Sequence, residues 1–254
     1  MSCIDLHVHT TASDGTYTPA EVVELAHKTG LAAIAITDHD TVSGYAEAAR
    51  RGAELGVEIV PGIEISTKYG SSIHMLGYYI DMQSEGLHHI LDWIVEDRDA
   101  RARKMAELMA ADGLPVSFDI MKERYGEVIG RPHFANMLVE LGLARDVQDA
   151  FDRYVEKGQR YYVGRTILPI ERAIGLIIKA GGVPVLAHPF QYKRDDAGLR
   201  ELIEYCMQHG LRGMECYYTG YTPEQSAYLA SLADEYGLIK TGGSDFHGEN
   251  KKHI

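Results

Sequence analysis

Cysteine is scarce in this sequence, and the three residues present, Cys3, Cys206 and Cys216, lie far apart. They form no close pair of the kind that binds a metal ion through thiolates. An odd and sparse count argues against a disulfide-stabilised scaffold and favours a reducing compartment. No signal peptide is expected, because strand-like sequence follows the first residues directly. We therefore predict a cytoplasmic protein.

Positive charge and long apolar runs are also lacking. The chain has 25 lysine and arginine residues against 37 aspartate and glutamate residues, a formal net charge of −12. This balance argues against a broad basic surface for duplex DNA or for an acidic membrane. No apolar run reaches the roughly 18 to 20 residues needed to span a bilayer. An anionic substrate is still compatible, because bound divalent cations can reverse the sign of the charge at a site.

The sequence does contain a regular alternation of apolar runs and amphipathic stretches. With 254 residues, 45% of them hydrophobic, it suits one large domain or a domain with an insertion. The apolar runs show little polar alternation, which is typical of parallel strands covered by helices. They span residues 3–9, 31–37, 57–61, 72–80, 182–188, 211–217 and 238–243. About seven strands alternating with helices predict an α/β fold, a parallel (β/α) barrel.

One region interrupts this alternation. About a hundred residues separate the strand that ends near Ile80 from the strand that begins near Val183, and they contain a long amphipathic stretch followed by shorter helical pieces. We predict that residues 98–165 form a helical insertion, a cap domain over one end of the barrel. The barrel is then predicted to comprise residues 1–97 and 166–254.

The first predicted strand carries two histidines two positions apart, in the run IDLHVH. Because side chains alternate along a strand, His7 and His9 point to one side and Leu6 and Val8 to the other. If Leu6 and Val8 meet the helices, both imidazoles point into the barrel. Two imidazoles buried without a partner would be costly, and a bound metal ion removes that cost.

Residues of the same kinds recur at other strands. Active sites of parallel barrels form at the carboxyl ends of the strands, so these side chains are expected to converge there. The candidate metal ligands are His7, His9, Asp14, His39, Glu64, His74, His188, Asp245 and His247.

Nine nitrogen and oxygen ligands are more than one ion can use, so two or three divalent ions are predicted, with Glu64 as a bridge. Imidazole and carboxylate without thiolate favour zinc, manganese or iron. Such ions lower the pKa of a bridging water to give hydroxide, and they neutralise an anionic transition state. Hydrolysis of a phosphoester needs both effects.

The motifs DLHVHTTASDG, TDHD, GIE, AHP and SDFH occur in this order between residues 5 and 247. Together they resemble the polymerase and histidinol phosphatase (PHP) family of metal-dependent phosphoesterases. The resemblance implies a distorted seven-stranded (β/α)7 barrel with three metal ions. The ligand sets that it implies are His7, His9, Glu64 and Asp245 for the first ion, Glu64, His74 and His188 for the second, and Asp14, His39 and His247 for the third. The catalytic roles would fall to Asp14, His39, Glu64, His188, Asp245 and His247.

The segment GRPHFANMLVELG, followed by AFDRYVEKGQRYYV, resembles the helical insert of PHP enzymes that act on nucleotide 3′,5′-bisphosphates and short RNA 5′ ends. Pro132 suits the first turn of a helix, which puts Arg131 and His133 where backbone N–H groups and a guanidinium can bind phosphate. Arg131 could instead pair with an acidic neighbour, and His133 could only cap the helix. Weaker candidates for substrate binding are Ser66, Lys68, Arg98 and Arg101.

We therefore predict hydrolysis of a phosphomonoester by a metal-bridging hydroxide, with the 3′-phosphate of a nucleoside 3′,5′-bisphosphate as the first choice of substrate. Stepwise 5′ to 3′ trimming of short RNA would use the same site. Three alternatives stay open: a phosphatase of the histidinol-phosphate type, an amidohydrolase that cleaves C–N bonds, and a non-catalytic metal-binding module. The expected partner is a small phosphorylated nucleotide or short RNA, not a membrane or duplex DNA, and no oligomeric state is predicted.

Overall fold

The protein is described here by a computed structural model that covers residues 3–126, 129–164 and 166–251. The chain divides into two compact units, which we call the barrel unit (Met1–Ile90 with Ile167–Ile254) and the helical unit (Leu91–Thr166). None of the described helices is both long enough and apolar enough to cross a membrane.

The barrel unit is built on one sheet. Its described strands are β1 (Cys3–Val8), β2 (Leu31–Ile36), β3 (Glu58–Tyr69), β4 (Ser71–Tyr78), β5 (Leu168–Pro169), β6 (Val183–Leu186), β7 (Gly213–Tyr218) and β8 (Ile239–Gly243). Seven of them follow the order β1-β2-β3-β4-β6-β7-β8, and the two-residue β5 pairs with β3 outside this path. Backbone hydrogen bonds from His9 N to Phe246 O (2.9 Å) and from Asp245 N to His7 O (2.8 Å) link the segment after β8 to β1. The sheet is therefore a nearly closed barrel, and the predicted α/β barrel is confirmed.

Helices cover the barrel and make up the second unit. The described α-helices are α1 (Pro19–Thr29), α2 (Tyr45–Leu55), α3 (Glu85–Ala111), α4 (Phe118–Tyr125), α5 (Arg131–Glu140), α6 (Val147–Ala150), α7 (Ile170–Lys179), α8 (Asp196–Gln208) and α9 (Pro223–Tyr236). The helical unit contains most of α3 together with α4, α5 and α6. Both α1 and α9 begin with a capping box, in which the N-cap residues Thr18 and Thr222 exchange hydrogen bonds with the third helical residue.

One part of the sheet corrects the expectation that its strands are all parallel. β4 runs antiparallel to both β3 and β6. β3 continues to Tyr69, and the chain reverses at Gly70, whose φ of 72° a glycine adopts at little cost. Because the chain turns back so tightly, the beginning of β4 lies at the carboxyl end of β3. His74 therefore pairs with Ser66 and joins the same edge as the residues that follow the parallel strands.

The packing of β1 explains why its histidines face inward. Val8 packs in a cluster with apolar residues of α1, β2 and α2, whereas His7 and His9 are fully buried. Alternation predicts that Leu6 lies on the same face as Val8. In the structure Leu6 instead packs with residues of β2, β3, β4 and β6. That expectation is wrong because the register between β1 and β2 shifts between Asp5 and Val8.

The helical unit has an apolar core of its own. Met105 and Met109 of α3, Met121 of α4 and Phe134 of α5 are among the largest fully buried side chains of the described chain. They belong to one cluster made only of residues from this unit.

Candidate metal centre

The nine candidate ligands all lie in the barrel unit, on or just after β1, β2, β3, β4, β6 and β8. Each of them has a ring nitrogen or a carboxylate oxygen within 4.8 Å of the corresponding atoms of at least two other candidate ligands. The groups so formed are His9, Asp14, His39 and His247; His7, His188 and Asp245; His7, His9 and Glu64; and His39, Glu64 and His74. Strands far apart in the sequence therefore bring all nine side chains into one cluster.

Glu64 of β3 lies at the centre of this cluster, with its side chain only 1% exposed. Its two carboxylate oxygens face five imidazoles. The nitrogen–oxygen distances are 3.3 Å to His7 Nε2, 3.2 Å to His9 Nε2, 3.1 Å to His39 Nδ1, 3.0 Å to His74 Nδ1 and 3.0 Å to His188 Nε2. Oε2 faces the first three and Oε1 the last two, so both oxygens of this carboxylate face imidazoles.

Asp14 lies at the more exposed side of the cluster, where its side chain is one-third accessible to solvent. Its carboxylate oxygens lie 3.3 Å from His247 Nε2, 3.7 Å from His9 Nδ1 and 3.9 Å from His39 Nε2. Asp14 and Glu64 are thus the centres of two groups of contacts, one more exposed and one deeply buried. His9 and His39 belong to both groups.

Several buried atoms of the cluster have no hydrogen-bond partner within the described part of the chain. They include Glu64 Oε2, His9 Nδ1, His39 Nδ1 and His188 Nδ1. Buried polar atoms are nearly always satisfied, so their crowding without hydrogen-bond geometry indicates a missing partner. Nitrogen and oxygen donors without sulfur suit a divalent cation, and the residues present therefore fit bound metal ions.

The groups of the cluster shift one another's pKa. Burial opposes a charged imidazole at His9, but the carboxylates of Asp245 and Glu64 outweigh it and raise the pKa of His9 to about 9. At His39 burial prevails and lowers the pKa to about 3. Burial would raise the pKa of Glu64, yet the surrounding imidazoles, led by His39, hold it well below its usual range. The central carboxylate is therefore ionised, and metal binding must displace protons from some of the imidazoles.

Two residues of the cluster have a strained backbone conformation. His188 has φ 23° and Asp245 has φ 59°, in the left-handed region that side chains other than glycine adopt rarely. Such conformations persist where the surrounding structure holds them, and they are common at functional sites.

Three buried carboxylates that are not among the candidate ligands form hydrogen bonds with residues of the cluster or of the segments that lead to it. Asp38 accepts hydrogen bonds from Thr10 N, Thr10 Oγ1 and Ser13 Oγ at 2.6–2.8 Å, which fixes the loop that leads to Asp14. Asp40 accepts one from the backbone N–H of Ser66 at 2.7 Å.

The third of these carboxylates, which reasoning from the sequence missed, is Glu215 of β7; it is fully buried and accepts hydrogen bonds from His7 and His188. The signal that could have revealed it is a carboxylate within the otherwise uncharged strand GMECYY.

The predicted substrate-binding residues lie on three different elements: α5, β3 and α3. Arg131 and His133 lie in the first turn of α5, where the sequence places them. Arg131 pairs with Glu156 at 3.1 Å, and His133 Nδ1 accepts a hydrogen bond from Gly130 N at 3.1 Å. Both simpler roles considered above, an ion pair for Arg131 and helix capping for His133, are therefore present.

The four weaker candidates fall into two pairs. In β3, Ser66 is buried and Lys68 is exposed. In the part of α3 that belongs to the helical unit, Arg98 is half-buried and Arg101 is buried. Their part in substrate binding stays a prediction.

Comparisons with known proteins agree with this geometry. The PHP domain matches residues 5–244. The 3′,5′-nucleoside bisphosphate phosphatase of Chromobacterium violaceum is 36% identical over 259 residues, covering 100% of this chain and 91% of that protein. The 5′-3′ exoribonuclease Rnm of Escherichia coli is 36% identical, covering 96% of this chain and 84% of that one. A solved structure named as a Chromobacterium violaceum amidohydrolase, with bound sulfate and no metal, superposes with a TM-score of 0.88 at 36% identity, covering 98% of this chain and 88% of that one.

Proposed function

The chain belongs to the PHP family of metal-dependent phosphoesterases, and we propose that it removes the 3′-phosphate from nucleoside 3′,5′-bisphosphates. The products would be a 5′-nucleotide and inorganic phosphate. The convergence of nine imidazole and carboxylate side chains around Glu64 carries this proposal. The Chromobacterium violaceum relative supports the choice of substrate, because it is named for this activity and aligns with the whole chain.

We propose trimming of short RNA from the 5′ end as a second activity of the same site. The Escherichia coli relative, named as a 5′-3′ exoribonuclease, supports it. The net charge of −12 is compatible with short RNA but unfavourable for long duplexes, whose affinity for proteins comes largely from neutralised phosphates.

We propose that two or three divalent ions, manganese, iron or zinc, bind at the cluster. The residues that would hold them are His7, His9, Glu64 and Asp245 for the first ion, Glu64, His74 and His188 for the second, and Asp14, His39 and His247 for the third. When bound, such ions lower the pKa of water and neutralise charge that develops on the phosphoryl oxygens.

The residues of the cluster divide into a buried part and a partly exposed part, and we assign them different roles. The buried residues Glu64, His188 and Asp245 fix the position at which the phosphate reacts. Asp14 is one-third exposed, and its Oδ1 lies 3.3 Å from Nε2 of His247, which is mostly buried. In this assignment the solvent-accessible carboxylate of Asp14 passes protons to bulk water, and His39 and His247 orient it.

We propose that Arg131 and His133 bind the phosphate that is not hydrolysed. The Arg131 guanidinium has five N–H donors, and the ion pair with the half-exposed Glu156 uses only part of them. It also lies over the rings of Phe151 and Tyr162, 5.6 and 5.8 Å from their centroids, which limits its freedom. A pre-positioned guanidinium at a helix N-terminus suits a phosphate monoester. Ser66 and Lys68 on β3 are proposed as minor contacts.

The activity is tested by measuring phosphate release with Mn²⁺ present. The substrates to compare are nucleoside 3′,5′-bisphosphates, their 2′,5′ isomers, mononucleotides, histidinol phosphate and short 5′-phosphorylated RNA. We expect the 3′,5′-bisphosphates to give the highest kcat/KM. A chain that hydrolyses cyclic amides but none of these phosphoesters would be an amidohydrolase, and a preference for histidinol phosphate would refute the proposed substrate.

The role of Arg131 is tested by Arg131→Ala. Losing a charged hydrogen bond of about 1.5–3 kcal/mol should lower kcat/KM on a 3′,5′-bisphosphate by about 10- to 100-fold. Release from an aryl phosphate, which has no second phosphate, should change less than about twofold. Arg124→Ala is the matched control, since Arg124 also belongs to the helical unit, is exposed and forms an ion pair with a glutamate. Equal losses on both substrates would remove Arg131 from phosphate recognition.

A further inference from the structure

Glu215 is a fully buried carboxylate outside the four groups of candidate ligands. It lies in the middle of β7, and both of its oxygens accept hydrogen bonds. Oε1 lies 3.0 Å from His7 Nδ1, and Oε2 lies 2.7 Å from the backbone N of His188. One carboxylate therefore contacts two residues that we assign to different ions.

We propose that Glu215 is a positioning residue that fixes His7 and His188 for metal binding. This inference rests on the metal centre put forward under the proposed function. It adds a residue that touches neither the ions nor the substrate and acts through the two ligands that it holds.

The contact with His7 determines which ring nitrogen faces the ions. When Nδ1 donates a proton to Glu215, the lone pair of the neutral ring is on Nε2. Nε2 is the nitrogen that faces the centre, 3.3 Å from Glu64 Oε2 and 3.6 Å from Asp245 Oδ1. A carboxylate behind a histidine ligand in this way fixes its tautomer and ring orientation and makes it a stronger ligand.

The contact with His188 acts on the backbone. With φ 23° and ψ 63°, His188 has a conformation that a residue with a side chain rarely adopts. The hydrogen bond from its N–H to Glu215 helps to hold this conformation, which places Nε2 3.0 Å from Glu64 Oε1. The same side chain thus aligns one ligand through its ring and the other through its main chain.

The third group of ligands offers an internal reference. Within the described residues, the hydrogen bonds of Glu215 involve only His7 and His188, and none involves Asp14, His39 or His247. A change at Glu215 should therefore weaken the first two ions selectively, whereas general unfolding would weaken all three.

The decisive variant is Glu215→Gln, which keeps the shape of the side chain but leaves only one acceptor oxygen. Its NH₂ group must then face either the N–H of His7 or the N–H of His188, so one hydrogen bond is lost. We expect Mn²⁺ at the His7 and His188 sites to bind about 10- to 100-fold more weakly. Affinity is measured without substrate, by chelator competition and by metal analysis after desalting, and His247→Ala identifies the ion of the third group.

Two further variants separate positioning from folding. Glu215→Asp keeps both acceptors and should regain part of the lost affinity. Asp149→Asn changes an equally charged, buried side chain of the helical unit and should leave Mn²⁺ affinity unchanged. If Glu215→Gln does not fold, the Zn²⁺-loaded wild type still tests the proposal, because the His7 Nδ1–H proton should give a slowly exchanging NMR signal.

The outcomes distinguish this inference from the proposed function. A folded Glu215→Gln that binds every ion as tightly as the wild type would overturn the positioning role alone, and so would a His7 ring protonated at Nε2 in the Zn²⁺-loaded wild type. A wild type that binds no divalent ion would refute the metal centre itself. A chain that binds ions normally but hydrolyses no phosphoester would leave the role of Glu215 intact.

Discussion

In the barrel unit the side chains of His7, His9 and Glu64 are almost completely removed from water, whereas the helical unit buries methionine, phenylalanine and leucine in their place. Burying imidazoles and carboxylates is costly unless partners compensate for the lost hydration. Burying apolar side chains is favourable and needs no other partner. The two units therefore differ in what they bury: the barrel unit adds to its apolar clusters a polar cluster that fits divalent ions, whereas the core of the helical unit is apolar.

This difference gives each unit its own experimental signature. A change in the cluster around Glu64 should alter bound metal and activity more than it alters the folding of the helical unit. A change in the methionine-rich core should do the reverse. The single tryptophan, Trp93, belongs to the helical unit, so its fluorescence offers a local signal from that unit.

The largest effect is expected from Glu64→Gln. The amide removes the charge and one of the two acceptor oxygens that face five imidazoles. Metal-ion catalysis contributes several kcal/mol, so phosphate release with Mn²⁺ should fall by roughly 10³-fold or more. Metal analysis should show fewer bound ions. The unfolding midpoint of the helical unit, followed by Trp93 fluorescence, should change little.

Glu58→Gln is the control for this experiment, since Glu58 is exposed on the same strand β3. It should retain full activity and metal content. If Glu64→Gln kept its ions and its activity, Glu64 would not be the bridge and the contrast between the two interiors would lose its basis.

Phe134→Ala should have the opposite signature. Phe134 is fully buried in the core of the helical unit, and removing such a ring costs about 3–5 kcal/mol. Urea unfolding followed through Trp93 should show this loss. Mn²⁺ affinity measured below the unfolding transition should match that of the wild type. Phe151→Ala, at a half-buried position against the same core, should cost less. Parallel losses of metal affinity and stability would show that the two interiors depend on each other.

Much of this contrast could be predicted from the sequence. The PHP family, the α/β barrel and the class of enzyme are confirmed. The nine candidate ligands could be found because each lies in a short motif at a strand or just after it, where the barrel topology dictates convergence. His74 joins the others for a different reason than the one predicted, since β4 is antiparallel and its beginning, not its end, reaches the edge.

The supporting residues could not be found in the same way. Glu215, Asp38 and Asp40 act on neighbours that are distant in sequence, through contacts set by the register between strands and by loop geometry. Motif spacing contains no information about such contacts. The position of Leu6 shows the same limit, because one shift of register is enough to move a side chain to another face.

The smallest effect is expected from Asp149→Asn. This substitution tests whether a charged side chain contributes to the stability of the helical unit. The Asp149 carboxylate accepts hydrogen bonds from the backbone N–H and side chain of Arg145 and from Arg153, at 3.0–3.1 Å. These contacts, the backbone bond first, lower the pKa of Asp149 to about 2. The unfolded chain has a pKa of about 3.9, so the carboxylate stabilises the fold above about pH 4.

That contribution is lost as the pH falls from about 4 toward 2, because protonation then removes the charged acceptor. The difference in Trp93 unfolding midpoint between wild type and Asp149→Asn should therefore be constant above about pH 5 and shrink below pH 4. Asp152→Asn is the control, since Asp152 is exposed and, among the described residues, its carboxylate accepts a hydrogen bond only from the neutral side chain of Gln148. Equal unfolding midpoints of the two proteins at every pH from 7 to 3 would show that the Asp149 contacts do not stabilise the helical unit. The apolar core would then account for its stability without help from buried charge.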